Sequence, residues 1–435
     1  MYKRLSAPIS CQIEIGTACD NNCFHCYNHW RHEKTVFGAQ MSPEEFDVVV
    51  EKLKNAKVFN VILTGGEPLM NRKTLLFAAK KLASNDISFS LNSNLRTMRP
   101  DDAKYLKDCG ITSILTSVHG PNSEIHGIIV DANSAFDETL RGIHISQEAK
   151  IPVGASVVLS PKNIGYFIDT ARTLCSIGIK AIYPTKAACP ENCSSFSSLS
   201  LSREQVNSFV KVAEKESKTM GFKFDILSAY PMCGLDDLGS IGCFNRRCFA
   251  GVTTLTIGAN GEARACNHSS DSVGNIFSED LCLIWDRLQP WREGKFLPEE
   301  CWNCEAILLC GGGCRVEAKT HRGSISAMDP YANPKKVIEF MPILRKKHLE
   351  LRASLKEIKK FRVKYFKKRK EDFGGIILPE ATGSPMFLDK GGFAIINKLI
   401  PYSVVTAHEV ANLAEINLPI FLSSLETRGV IDVLE

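Results

Sequence analysis

The chain has 435 residues, enough for roughly two to four domains with cores of their own, which excludes a minimal fold held together by staples. Hydrophobic residues at 44% and charged residues at 23% suit a soluble globular protein rather than a disordered one, and no apolar run approaches the roughly 18 residues of a membrane span. The net charge of +5 hides an asymmetry, because Lys335 to Lys370 carries 15 Lys and Arg against three Glu, net +12, leaving −7 for the rest.

Met1-Tyr2-Lys3-Arg4 is basic, but Ser6, Pro8, Ser10, Gln12 and Glu14 break up the next stretch of chain, so no secretory signal is expected and the chain reads as cytoplasmic. From Ile9 to Met220 short β-rich runs alternate with helical stretches. The strands are expected at Ile9–Ile15, Val58–Leu63, Ile87–Leu91, Ser113–Val118, Val153–Leu159 and Ile179–Tyr183. Ser42-Pro43-Glu44-Glu45 predicts a capped helix start, and further helices are expected near Lys73–Ser84, Asp101–Cys109, Ala135–Gln147, Ile164–Cys175 and Arg203–Met220. Six βα units in series predict an α/β fold with a parallel sheet, either doubly wound or an open partial barrel, with ligands at the carboxyl ends of the strands.

After Met220 the texture changes to short turns, glycine and dense cysteine. Pro334 to about Arg362 then reads as a charged amphipathic helix, a solvated face or a grip for an acidic partner. The tail shows strand-like Phe361–Tyr365 and Gly375–Leu378, then helical stretches at Phe393–Leu399, Ala407–Leu413 and Pro419–Gly429, which fits a small winged-helix-like domain. The expected domains are 1–225, 226–334, a basic linker helix at 335–360, and 361–435.

Seventeen cysteines in a reducing compartment point to metal or redox chemistry rather than disulfides. Cys19, Cys23 and Cys26 stand at x3 and x2 spacing directly after the first strand. That spacing also marks one face of a helix, but Asp20-Asn21-Asn22 favour turns, so a loop is expected. Three thiols on a loop leave one iron of a four-iron cluster free for an outside ligand, whereas structural zinc takes four protein ligands.

This triplet, followed by Gly65-Gly66-Glu67-Pro68 after the second strand, resembles the radical S-adenosylmethionine (SAM) enzymes over Ile9 to about Met220. The resemblance implies a partial (β/α)6 TIM barrel in which Cys19, Cys23 and Cys26 ligate a [4Fe–4S] cluster. It implies that SAM is cleaved there to a 5′-deoxyadenosyl radical that abstracts hydrogen. On the same resemblance Gly65, Gly66, Glu67 and Pro68 meet the methionine end of SAM, His25 meets adenine through its backbone, and Asn94 and Ser117 stand where polar SAM contacts occur, or simply cap strand ends. Where relatives carry Asp-Gly after the fourth strand this chain has His119-Gly120, which makes His119 a candidate for the chemistry.

Cys248-x12-Gly261-x4-Cys266, then Cys301, Cys304, Cys310 and Cys314 around Gly311-Gly312-Gly313, resembles the SPASM extension of peptide-modifying radical SAM enzymes. Alone, the later block suits a zinc ribbon about as well. The resemblance assigns one auxiliary [4Fe–4S] cluster to Cys243, Cys248, Cys266 and Cys314 and a second to Cys301, Cys304 and Cys310. The usual last cysteine is missing, since Asp329-Pro330-Tyr331 ends in Ala332. An open iron, His321 or Asp329 are the alternatives, and Cys233, which precedes this region, is a further candidate to supplement cluster ligation. Cys189 and Cys193, after the sixth strand, are candidate hydrogen donors. Cys11, Cys109 and Cys175 are expected in cores.

Segments around Phe373-Gly374-Gly375, Asp389-Lys390-Gly391-Gly392-Phe393 and Thr427-Arg428-Gly429-Val430 resemble PqqD-like precursor-recognition domains. The whole resemblance implies a maturase that binds a ribosomal precursor peptide by its leader and is reduced by a flavodoxin- or ferredoxin-type donor. It would form a thioether, carbon–carbon or ether crosslink, or epimerise a residue. The alternatives are sulfatase-maturase-like oxidation of a protein Cys or Ser, and a zinc-stabilised winged-helix regulator of nucleic acid, which leaves the first triplet and Gly65-Gly66-Glu67 idle. Neither nucleic acid nor membrane is the expected partner.

Overall fold

Six short apolar segments form strands where the alternation predicts them: β1 Ser10–Glu14, β2 Asn60–Thr64, β3 Ser88–Asn92, β4 Ile114–Ser117, β5 Val153–Leu159 and β6 Ala181–Lys186. In the computed structural model, which describes residues 3–28, 30, 38–188, 194–226, 229–236, 247–334 and 358–434, they pair in parallel and in chain order. Between them run α1 Pro43–Asn55, α2 Arg72–Ser84, α3 Pro100–Asp108, α4 Ser123–Val130, α5 Ala135–Glu148, α6 Phe167–Ser176 and, after β6, α7 Arg203–Met220. The capping box at α1 is present, with Glu45 N–H donating to Ser42 Oγ and Ser42 N–H to the Glu45 carboxylate. Helix α4 is not among the expected elements; Asn122 caps it, and it packs on α5 after β4.

The sheet is larger than six strands. β7 Lys223–Phe224 joins β6 in parallel, and at the other edge β8 Thr254–Ile257 pairs in parallel with β1. β9 Glu262–Arg264 and β10 Ser272–Asn275 continue it antiparallel, giving the order β10-β9-β8-β1-β2-β3-β4-β5-β6-β7. The cysteine-rich segment thus builds onto the first strand of the parallel sheet. Local turn signals could not show this, because the β1–β8 pairing spans about 240 residues of sequence. The chain falls into two compact units, Met1–Ile338 and Glu339–Glu435.

The second unit contains more strand than its sequence suggests. β11 Lys360–Val363 lies between β15 Val404–Thr406 and β16 Ile431–Val433, and β12 Phe366–Glu371, β13 Gly374–Pro379 and β14 Met386–Asp389 form a second antiparallel sheet. Helices Lys390–Lys398, Ala407–Ala411 and Leu418–Thr427 cover a core that includes Phe361, Phe393, Ile396, Leu422 and Leu425. A Cβ on Gly375 would stand 2.3 Å from the Phe393 ring, so the glycine lets strand and helix close on each other. Most of the expected linker helix, at 335–357, lies outside the described residues.

Candidate functional site

Because β1 to β6 are parallel, their carboxyl ends share one rim, and the loops that leave it carry most of the residues picked out in the N-terminal half of the sequence. Residues 19–26 follow β1 as a loop with one turn at 24–25, not a helix, as Asp20-Asn21-Asn22 predicts. All three cysteines are half-buried. The loop is tied down from several sides. Asn22 N–H donates to Val130 O at 2.9 Å and its side chain to Asp131 at 2.7 Å, both at the end of α4. Asn94 Nδ2 donates to Asp20 Oδ1 at 2.6 Å, and Arg96 reaches Asn21 Oδ1 at 2.8 Å while pairing with Glu138 at 2.6 Å.

From β2, Gly66 N–H donates to Gly16 O and Glu67 N–H to Ala18 O, each at 2.7 Å. A Cβ on Gly65 would lie 2.3 Å from Gly16 O and one on Gly66 2.2 Å from Ala18 O. The glycine pair is therefore required by the backbone that leads into Cys19, and Gly65 adds a φ of +144°. Pro68 opens a 3-10 turn, Pro68–Asn71. The buried Glu67 carboxylate accepts Leu69 N–H at 2.9 Å, Ser93 Oγ–H at 2.7 Å and Asn94 N–H at 2.7 Å, which locks the end of β2 to the end of β3. Burial outweighs these donors and raises its pKa to about 7. The side chain of Asn94 is fully engaged too, its Oδ1 accepting Arg96 N–H at 3.0 Å. Ser117 ends β4 beside Ser156 of β5.

The structure collects three histidines on this rim, of which sequence reasoning found two. His25 packs edge-on against His119, ring centres 4.6 Å apart, and His119 stacks on His126 at 5.8 Å. Val158 N–H donates to His119 Nδ1 at 3.1 Å and His119 N–H to His126 Nδ1 at 3.0 Å, so both neutral rings carry their proton on Nε2. Burial, with the neighbouring histidines adding to it, lowers His25 to about 3 and His119 well below its usual value; burial and Arg96 lower His126 to about 4. Histidines held below the ordinary 6.5 leave stability whole above that pH. It is lost as pH falls, because the unfolded chain takes up the protons first.

Each histidine contributes a loss of about 1.4 kcal/mol per pH unit between about 6.5 and its folded value. The raised Glu67 opposes this, its contribution being largest in acid and lost as pH rises through about 7. His268, lowered to about 4, adds to the fall, while Asp329, raised to about 6, and the raised Glu14 side with Glu67; four histidines against three acids leave a net fall. Urea midpoints are expected to drop from pH 7 to pH 5, and to drop less steeply in His126→Gln; equal slopes would mean that His126 is not neutral in the folded protein.

Two further thiol groups form in the second half of the unit. Cys266 is pushed up to about 12 by burial and by Cys248, and Cys314 upward by burial, Glu317 and Cys248. Cys243, the fourth of that expected set, and Cys189 and Cys193 lie outside the described residues. In the other group Cys301 is pushed up to about 12 by burial and by Cys310, Cys233 and Cys304. Asp329 accepts Cys314 N–H at 2.7 Å and Tyr331 N–H at 2.9 Å, and His321 is exposed on the last turn of helix Arg315–Arg322.

Buried charge joins this region to the barrel. Lys186, at the end of β6, pairs with Glu317 and lies 4.7 Å from the centre of the Tyr331 ring; Arg264 of β9 pairs with Glu14 of β1 at 2.5 Å. No sequence signal marks either pair. Three thiols on a tethered loop, with further cysteines in the second half of the unit, are soft donors of the kind iron–sulfur clusters take.

Comparison with known proteins agrees. Residues 13–174 match the radical SAM superfamily and residues 248–305 an iron–sulfur cluster-binding domain, SPASM. The chain is 22% identical to an AdoMet-dependent heme synthase of Oleidesulfovibrio alaskensis, over 73% of this chain and 85% of that one. It is 24% identical to a PqqA peptide cyclase of Rhizobium meliloti, over 75% and 87%. The solved structure of anSMEcpe with bound AdoMet and a Cp18Cys peptide shares the fold, with a TM-score of 0.61, 18% identity, and coverage of 80% of this chain and 100% of that one.

Proposed function

From the premise that this chain is an enzyme of the radical SAM family with a SPASM domain, we propose that it modifies a ribosomally made precursor peptide. In this reading Cys19, Cys23 and Cys26 hold the catalytic cluster, which when bound supplies electrons that cleave SAM to a hydrogen-abstracting 5′-deoxyadenosyl radical. Gly65, Gly66, Glu67 and Pro68 shape the methionine end of the SAM site, with His25, Asn94 and Ser117 around it. Glu67 and Asn94 act by holding the rim, since their side chains already bind neighbouring donors and acceptors. The second unit serves as a PqqD-like recognition domain, and a flavodoxin or ferredoxin delivers electrons.

One observation carries the peptide over other substrates. β12 pairs only with β13 among the described residues, so it is an edge strand, and it exposes Lys368 and Lys370. An open edge offers backbone hydrogen bonds to an extended peptide, and the lysines favour an acidic one. The similarity to a peptide cyclase supports this reading. The similarity to a heme synthase supports a second, action on a porphyrin-type substrate, which gives the second unit no task. Oxidation of a Cys or Ser in a folded protein likewise needs no such unit.

Co-expression with any short peptide found to be encoded beside the gene, read by mass spectrometry, separates them. The proposal expects a peptide lighter by two hydrogens after crosslinking, or one that gains deuterium in heavy water after epimerisation. A chain ending at residue 338 is expected to lose this modification while still releasing 5′-deoxyadenosine. Binding of the peptide should weaken as salt rises from about 0.05 to 0.5 M, since exposed charges are screened over a shorter distance. An unmodified peptide alongside active SAM cleavage contradicts the proposal.

A further inference from the structure

The second thiol group of the SPASM region has three cysteines in its motif, Cys301, Cys304 and Cys310, and Ala332 where the resemblance leads one to expect a fourth. A four-iron cluster held by protein alone takes four thiolates. The structure brings a fourth thiol to this place from outside the motif. The 3-10 turn Met232–Gly234 lies against the group: Met232 N–H donates to Cys310 Sγ at 3.3 Å, so the backbone entering Cys233 touches a motif sulfur. Cys233 Sγ in turn accepts Asn333 N–H at 3.2 Å, which sets this sulfur beside the residue that follows Ala332. A Cβ on Gly234 would lie 2.6 Å from Tyr331 O, so the two segments are in close contact. Cys233 is itself buried.

The other candidates for the fourth position are engaged or remote. Each oxygen of Asp329 accepts a backbone N–H, those of Cys314 and Tyr331, and its Cβ and carboxylate pack on Gly313. His321 is exposed to solvent. We propose that Cys233 is the fourth ligand of this site, its sulfur taking the place of the cysteine absent at Ala332 and closing the coordination of the cluster held by Cys301, Cys304 and Cys310. A closed site leaves no iron to bind substrate, so this second auxiliary cluster serves electron transfer, and substrate contact falls to other parts of the enzyme.

The assignment rests on the reading that this block holds a cluster, and the parent protein tests that reading separately. The full chain, reconstituted without oxygen, is assayed for iron and sulfide and by EPR after reduction, as wild type, Cys233→Ala, Cys233→Ser and the double variant Cys233→Ala with Ala332→Cys. About twelve irons are expected in the wild type, about eight in Cys233→Ala, and about twelve again in the double variant. A purely structural role for Cys233 offers no reason for a thiol on another segment to restore iron. Cys233→Ser keeps the size of the side chain, so its spectrum is informative even where Cys233→Ala folds poorly. A shifted signal of one cluster supports the assignment, and a signal identical to wild type overturns it. Full iron in Cys233→Ala also overturns it. A wild type with only about eight irons removes the second auxiliary cluster, and this proposal with it.

Discussion

Replacing any one of Cys19, Cys23 and Cys26 by alanine is expected to abolish release of 5′-deoxyadenosine from SAM and to lower bound iron by about four per chain. An all-or-none effect is expected because the loop supplies only three thiols and the proposed cluster needs each of them. The same loop predicts a graded effect at its supports. Asn94 binds Asp20 and Arg96 binds Asn21, so neither touches the thiols, yet both set the path between Cys19 and Cys23. Removing such an outer contact costs about 10 to 100-fold in cluster affinity or activity. Asn94→Ala is therefore expected to retain measurable turnover and to lose iron faster on dilution. Residual 5′-deoxyadenosine in Cys23→Ala equal to that in Asn94→Ala would break the distinction.

Lys186→Met is expected to destabilise the first unit by about 3–5 kcal/mol, because it leaves the buried carboxylate of Glu317 without a partner. Burial, the largest single effect, would pull the lysine down, but Glu317, Tyr331 and Asp329 together outweigh it and its pKa is raised. Asp329, raised to about 6 by burial and relieved chiefly by Lys186, loses part of its own compensation in the variant. The double change Lys186→Met with Glu317→Leu removes both charges and is expected to recover most of the loss. Urea unfolding of the four proteins of this cycle measures it; additive losses would show that the pair is not coupled. Cys314 begins helix Arg315–Arg322, which carries Glu317, so Lys186→Met is also expected to loosen the thiol group of Cys248, Cys266 and Cys314.

The alternation of apolar runs located β1 to β6 to within three residues at either end, and the spacing of Cys19, Cys23 and Cys26, with turn-forming Asp20-Asn21-Asn22 between them, announced a loop. Such features are local, so local residues reveal them. The joining of β8 to β1, the partnership of Lys186 with Glu317, and the placing of Cys233 beside Cys310 depend on segments 60 to 250 residues apart. His126 was hidden for a related reason. Nothing in Ser123-Glu124-Ile125-His126 distinguishes it until α4 folds back and its Nδ1 meets His119 N–H. The glycines of Gly65-Gly66 were legible as a close-approach signal, but the backbone they approach is residues 16–18. In the second unit the two strand-like pieces seen in sequence became six strands, since short strands such as Val404–Thr406 carry no period long enough to read.

The most direct test of a radical acting on a bound peptide is the isotopic composition of 5′-deoxyadenosine, formed with the neighbouring peptide made from deuterated amino acids. The account predicts that the recovered nucleoside carries deuterium taken from the peptide, and that the chain ending at residue 338 gives nucleoside without it. Nucleoside free of deuterium from the full-length enzyme, alongside a modified peptide, would contradict it.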